Sequence, residues 1–224
     1  MIVAIDGPAG SGKSSVSREV ARRTGTLYLN SGRFYRAITW KALSTGITET
    51  DTDRLVDTAR HIRIEVTREA FLVDGIERTD ELHTGSIDRA TAIVSRIPEV
   101  RHQVNRRLKE IAENRSVVVE GRDMSTVVFP EADVKIYIDA DVHARALRRR
   151  TEWGDHVPIE DVERAIRERD EIDKTKEHGA LVRPEDAVYL DTTHLTLDQV
   201  CERVIAIIQK KTNQNQEHQR SHGR

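Results

Sequence analysis

Short apolar runs alternate with amphipathic stretches along most of the chain, and the rhythm breaks once, at residues 62–78. Ile2–Ile5 is an apolar run of strand length, ended by Asp6-Gly7-Pro8. Lys13–Thr24 has the helical period, with Val16 and Val20 one turn apart, and Gly25 sits where a helix C-terminus wants a glycine. Thr26–Leu29 reads as a short strand. A helix follows from about Ser31, with Ile38, Ala42 and Leu43 inward, and an acidic helix over Asp51–Arg60. Then the period changes. Ile62, Ile64 and Val66 alternate with Arg63, Glu65 and Thr67, the signature of a half-buried strand. Phe71–Val73 and Ile76–Arg78 complete a small antiparallel sheet across an Asp74-Gly75 turn. Helices are expected at about 86–96 and 98–113. The apolar runs Val117–Val119 and Val134–Ile138 suit parallel strands covered on both faces. An Arg-rich helix from Asp141, a loop at 153–157, and a charged helix from Pro158 to about Asp173 come next. Ala187–Leu190 is the last strand. Leu195–Lys211 is the last helix, with Leu197, Val200, Val204, Ile207 and Ile208 on one stripe. Residues 212–224 are polar and carry no stripe, so they are expected to be disordered. Strand–helix alternation of this kind predicts an α/β domain on a parallel sheet.

Composition narrows the class. A chain of 224 residues, against ~150 per domain, suggests one domain with a small insert. Lys and Arg total 36 against 38 Asp and Glu, so the net charge of −2 speaks against a dedicated nucleic-acid binder. Cys201 is the only cysteine, which excludes a disulfide framework or a cysteine-based zinc site. No apolar run nears the ~18 residues of a membrane span, and MIVAIDG lacks the pattern of an export signal. The expectation is a soluble, cytoplasmic protein that engages neither membrane nor nucleic acid. Arginine outnumbers lysine 28 to 8. Its planar fork suits phosphate and carboxylate, so the placement of the arginines matters.

The sharpest chemical signal is Gly7-Pro8-Ala9-Gly10-Ser11-Gly12-Lys13-Ser14, a full match to G-x-x-x-x-G-K-S/T between a strand and a helix. Glycines let backbone N–H groups curl around phosphate oxygens, and the helix N-terminus adds its positive end. Lys13 is placed to reach the β- and γ-phosphates of ATP, and the Ser14 hydroxyl to ligate Mg²⁺. The ATP-binding run is Gly7 to Ser15. The two G-protein signatures, D-x-x-G after a later strand and N-K-x-D, are missing, and a motor would usually be longer. A small-molecule kinase remains, and it needs a second pocket for the phosphoryl acceptor.

Two segments offer that pocket. Asn30-Ser31-Gly32-Arg33-Phe34-Tyr35-Arg36 opens a helix after the second strand. Glu120-Gly121-Arg122-Asp123-Met124-Ser125-Thr126 follows a central strand, at the edge where ligands bind in open α/β sheets. With IDGPAGSGKSS (5–15), IPEVR (97–101), EGRDMSTVVFPEADVKIYIDA (120–140), RERDEID (167–173) and LDTT (190–193), these pieces resemble bacterial cytidylate kinases, the CMP/dCMP kinases of the nucleoside monophosphate kinase group. The likeness runs in order from residue 2 to about 210.

The resemblance implies a P-loop kinase fold. A parallel core sheet flanked by helices (1–60 and 115–211) would carry a three-stranded antiparallel insert that binds CMP (about 61–114) and a helical lid (about 145–176). It implies that Ser31, Tyr35 and Arg36 hold the acceptor nucleotide, and that Arg101 and Asp123 read the cytosine edge. Arg122 and Arg169 would grip the CMP phosphate, Asp173 the ribose, and Arg145, Arg148 and Arg149 would close over ATP. Lys13, Arg122, Asp123, Arg148 and Arg169 are the catalytic candidates. Arg169 and Asp173 are four apart and so share a helix face on spacing alone. The implied partners are ATP, Mg²⁺ and CMP or dCMP, acting on a monomer. Competing readings are a UMP/CMP or shikimate kinase and a nucleotide-binding regulator without turnover. Six positions depart from the family pattern: Asn30 for Asp, Ala92 for a base-reading Ser, Ser125 for Gly, Ile172 for Arg, and Lys174 and Lys176 for two arginines.

Overall fold

The computed structural model describes residues 1–78, 81–153 and 157–222, with residues 152–153 and 215–222 described by backbone alone. The chain divides into two compact units, Met1–Tyr28 with Ser116–Arg224, and Leu29–Arg115. The insert is expected from the sequence to begin near 61, whereas the second compact unit begins at Leu29. The reason is packing: the second helix of the chain belongs with the helices that follow it.

In the first unit, β1 (Ile2–Asp6), β6 (Val117–Gly121), β7 (Val134–Asp139) and β8 (Val188–Asp191) form a parallel sheet in the order β6-β1-β7-β8. A further strand, β2 (Leu27–Asn30), lies beyond β6, and the division between units falls within it. Val3, Ala4 and Ile5 are fully buried, as are Val117, Val118 and Val119, because a central parallel strand is covered on both faces. Helices α1 (Lys13–Thr24) and α8 (Leu197–His222) bring Val16, Val20, Val200, Val204 and Ile208 onto this core, where Cys201 is buried as a small apolar residue. Helices α6 (Val142–Trp153) and α7 (Ile159–Thr175) pack on one another through Ala146, Val162 and Ile166.

The apolar stripe of α8 ends at Ile208, but the helix runs on to His222. The helix thus covers residues 212–222, which carry no apolar stripe and are expected from the sequence to be disordered. Gln214, Gln216, Glu217, Gln219 and Arg220 are good helix formers, so a helix already nucleated on the core propagates without further burial. Residues 223–224 lie outside the described residues, as does 154–156 of the expected 153–157 loop; Trp153 ends α6.

The second unit holds α2 (Ser31–Ser44), α3 (Thr52–His61), the antiparallel sheet β3 (Ile64–Val66), β4 (Phe71–Val73) and β5 (Ile76–Glu77), then α4 (Gly85–Val94) and α5 (Pro98–Ala112). Helix α2 packs on α3, α4 and α5. Asp74 and Gly75 both have positive φ, 52° and 79°, which is the backbone of the hairpin turn their sequence suggests. Phe71 meets Phe34 edge to face at 5.4 Å, which fixes the small sheet to α2.

Candidate active site

The phosphate loop leaves β1 in the middle of the parallel sheet. A Cβ on Gly7 would lie 2.0 Å from the Ile138 carbonyl oxygen, so β7 passes too close for any side chain there. Gly10 and Gly12 turn the chain with φ of 74° and 87°. Between them Ser11 is buried and its N–H bonds the Pro8 carbonyl at 3.4 Å. Gly12 caps α1 without a side-chain bond, and the first turn of α1 holds no acidic residue. Ser14 and Ser15 there are exposed. The N-terminus of α1 therefore has no acidic side chain in its own first turn to compete for an anion.

Lys13 is buried, its Nζ donating to the Pro8 carbonyl at 2.7 Å and lying 3.5 Å from Ser11 Oγ. Burial, and then the charge of Arg122, bring its pKa down to about 7, against the opposing pull of Glu120, Asp173 and Asp6. Arg122 and Asp173, both expected from the sequence, thus act electrostatically on the loop lysine.

Arg122 follows β6 directly and donates from Nε to Asp173 Oδ2 at 2.6 Å. Arg169 reaches the same oxygen at 3.4 Å, and Lys176 Nζ lies 3.6 Å from Oδ1. Burial pushes the Asp173 carboxyl up, but Arg122, Arg169 and Lys176 outweigh it and hold the group below the usual carboxylate range. Arg122 is held above its ordinary value, since Asp173 and Glu120 outweigh its own burial. Four charged side chains thus form one cluster on β6 and α7. Asp123 is buried beside it and starts a π turn, Met124–Val128, its carbonyl accepting the N–H groups of Val127 and Val128 at 2.9 and 3.1 Å.

Arg145 and Arg148, on α6, both brace the phosphate loop. Arg145 donates to the carbonyls of Ala140 at 2.9 Å and Ala9 at 3.1 Å, and pairs with Asp170 on α7 at 2.7 Å. Arg148 donates to the Thr192 carbonyl at 2.6 Å, with Thr192 Oγ1 at 3.2 Å and the Ser11 carbonyl at 3.4 Å. Arg149 is half-buried. Thr192, at the end of β8, itself bonds the Ser11 carbonyl at 3.3 Å. The roles of Thr192, Asp170 and Glu120, whose Oε1 accepts the Tyr28 hydroxyl at 2.7 Å, come from partners distant in sequence, which no local pattern shows.

The remaining predicted residues lie in the second unit. Asn30 caps α2, its Oδ1 accepting the Arg33 N–H at 3.1 Å, which is why Asn serves as well as Asp here. Ser31 and Tyr35 are buried on α2. Arg101 on α5 is buried too, its guanidinium 5.8 Å from the Tyr35 ring centroid and its Nη1 donating to the Ser95 carbonyl at 3.2 Å. Arg36 is bonded through Nε to Asp88 on α4 at 2.9 Å.

The cytidylate kinase family model matches residues 3–210. The chain belongs to the cytidylate kinase family. It is 40% identical to the cytidylate kinase of Caldanaerobacter subterraneus subsp. tengcongensis, over 94% of this chain and 95% of that one. It is 39% identical to the cytidylate kinase of Borrelia hermsii, over 92% and 96%. An uncharacterised protein from Eubacterium ventriosum shares the fold, with a TM-score of 0.53 at 14% identity over 93% of this chain and 98% of that one. As a member of the cytidylate kinase family the protein is a phosphotransferase. No helix among the described residues is long and apolar enough to cross a membrane.

Proposed function

We propose that the protein transfers the γ-phosphoryl group of ATP to CMP and dCMP, giving ADP and CDP or dCDP. The observation that carries the reading is the meeting of a buried loop lysine, Lys13, with the Arg122–Asp173–Arg169 cluster in one electrostatic neighbourhood. Donor and acceptor phosphates are both anionic. Phosphoryl transfer asks a protein mainly to neutralise that repulsion and align the oxygens. Residues 7–15 cradle the donor, with Lys13 on its outer phosphates. Arg122 and Arg169 take the acceptor phosphate. No protein general base is needed, because the acceptor phosphate is already ionised.

Asp123 and Arg101 read the base. Cytosine offers an amine donor and a ring acceptor, which a carboxylate and a guanidinium match. Ser31, Tyr35 and Arg36 hold the nucleotide, and Asp173 its ribose. Helices α6 and α7 act as the lid that keeps water from accepting the phosphoryl group.

A divalent metal fits this donor set. Ser14 presents an exposed hydroxyl oxygen on the first turn of α1, and among the described residues no group of three or more His, Cys, Asp or Glu could hold an ion unaided. The ion would therefore arrive with the nucleotide, with Ser14 as its protein ligand. Mg²⁺ bound in this way would neutralise and orient phosphate oxygens.

The test is ADP release from ATP with CMP, dCMP, UMP, AMP or shikimate as acceptor. CMP and dCMP should turn over fastest. Preference for shikimate or AMP, or nucleotide binding without turnover on any acceptor, would overturn the proposal.

A further inference from the structure

Two turns of the first unit carry the chemistry, and one buried carboxylate joins them. Strands β1 and β6 are parallel neighbours in register Asp6↔Gly121, so the phosphate loop and the Arg122-Asp123 turn leave the sheet side by side. Asp6, the last residue of β1, has no solvent exposure. Its Oδ1 accepts the Met124 N–H at 2.9 Å, and its Oδ2 accepts the Ser125 N–H at 2.7 Å and the Ser125 hydroxyl at 2.5 Å. All three donors lie in the π turn that starts at Asp123.

The geometry points to Asp6 and Ser125 as a positioning pair for phosphoryl transfer, a clamp that sets Arg122 and Asp123 against the phosphate loop. The inference rests on the reading of Arg122 and Asp123 as acceptor-side residues. Three observations support it. Asp6 immediately precedes Gly7, so anything that fixes its carboxylate fixes the entry to the loop. Its partners immediately follow Asp123, so the same carboxylate fixes the exit of the acceptor turn. Burial raises the Asp6 carboxyl above its ordinary range and the Ser125 and Met124 donors oppose that shift, so the same bonds that form the clamp favour the ionised form, which in turn favours the protonated forms of Lys13 and Arg122. Met124 and Ser125 are themselves buried, so water cannot replace the carboxylate at these donors. The Ser125 hydroxyl is the one member of the clamp that a substitution removes without disturbing either backbone bond.

A bond that merely held the fold would lower the melting temperature and leave the folded enzyme's kinetics alone. A clamp between donor and acceptor turns does something different. It lowers kcat for transfer while the KM for ATP, set by the loop itself, stays near wild type. Misplacement by about 1 Å can cost ~10² in rate. Asp6→Asn retains the shape but puts an amide N–H against one of the backbone donors, so a loss in kcat near that size is expected. Because Asp6→Asn also risks misfolding, Ser125→Ala is the cleaner variant, with an expected fall in kcat of about tenfold.

The experiment measures kcat and the KM values for ATP and CMP in wild type, Ser125→Ala and Asp6→Asn, with thermal melts of each. A kcat loss in Ser125→Ala with an unchanged KM for ATP supports the clamp. Wild-type kinetics with only a lower melting temperature overturn it, as does a loss of ATP affinity equal to the loss of turnover. Wild type that fails to turn over CMP at all indicts the assigned function instead.

Discussion

Lys13 should make nucleotide binding a proton-coupled event. In the nucleotide-free protein its ammonium is buried and faces Arg122, and its pKa is about 7. A polyphosphate seated in the loop brings several negative charges next to Nζ and restores the ammonium, so the bound protein holds the proton well above pH 7. Nucleotide affinity should therefore be flat below neutrality and fall as pH rises. Only the protonated fraction binds in the charged form, and that fraction drops from about one half at pH 7 to about one hundredth at pH 9. The apparent Kd for ATP should then weaken roughly fifty-fold across that range, or somewhat over 2 kcal/mol. Isothermal titration calorimetry at pH 8 in two buffers of different ionisation enthalpy should show uptake of nearly one proton per nucleotide. Lys13→Ala should bind weakly with neither the slope nor the uptake. The reasoning fails if wild type binds with the same Kd at pH 7 and 9, or if Lys13→Ala keeps the slope. Stability follows the same titration. The folded pKa lies below the ordinary 10.5, so the unfolded chain holds more protons between about 7 and 10.5, and nucleotide-free stability should rise with pH through that window.

Three further outcomes are expected. Gly7→Ala forces a Cβ to 2.0 Å from the Ile138 carbonyl oxygen, whereas Gly46→Ala meets nothing within 4 Å. The first should cost about 3 kcal/mol or more and lower Tm by ~6–12 °C, the second about 1 kcal/mol, and equal melts for both would refute the close approach. Asp173→Asn leaves Arg122 without its 2.6 Å partner and should cost about 3 kcal/mol by urea titration; a midpoint unchanged from wild type would contradict the cluster. Asp123→Asn should sharply reduce kcat/KM on CMP, and Ala92→Ser should widen the CMP-over-UMP ratio by adding a hydroxyl; an unchanged ratio would mean that another group reads the base edge.

Much of the fold was legible because its elements are local. Helix α1 has the bounds that Val16, Val20 and Gly25 suggest, and the change to strict alternation after residue 61 marks the small antiparallel sheet. What escaped was long-range. The Met124–Val128 π turn follows from the Asp6 carboxylate, 118 residues away at Met124, and no periodicity announces it. Arg148 is expected as a lid and catalytic residue through the family resemblance, but no local pattern shows its partners. Its partners, the carbonyls of Ser11 and Thr192, exist only once β8 lies beside β7. The limit of the second unit has no local marker for a related reason: α2 has the sequence of any amphipathic helix, and its packing on α3, α4 and α5 groups it with them.

The interrupted connectivity of the first unit has a consequence for biosynthesis. β1 is made first, yet its neighbours β6 and β7 begin at residues 117 and 134. The unit formed by residues 29–115 is continuous, so it can collapse on the ribosome while β1 is still unpaired. The Leu27 N–H waits for the Ser116 carbonyl, and Ile2 to Asp6 wait for a partner strand on each side. Contacts so distant in sequence close slowly, because the intervening loop must lose its entropy first. The phosphate-binding loop, made before the strands that flank β1, thus acquires its shape only after they emerge, and the nascent chain should bind no nucleotide until they are free.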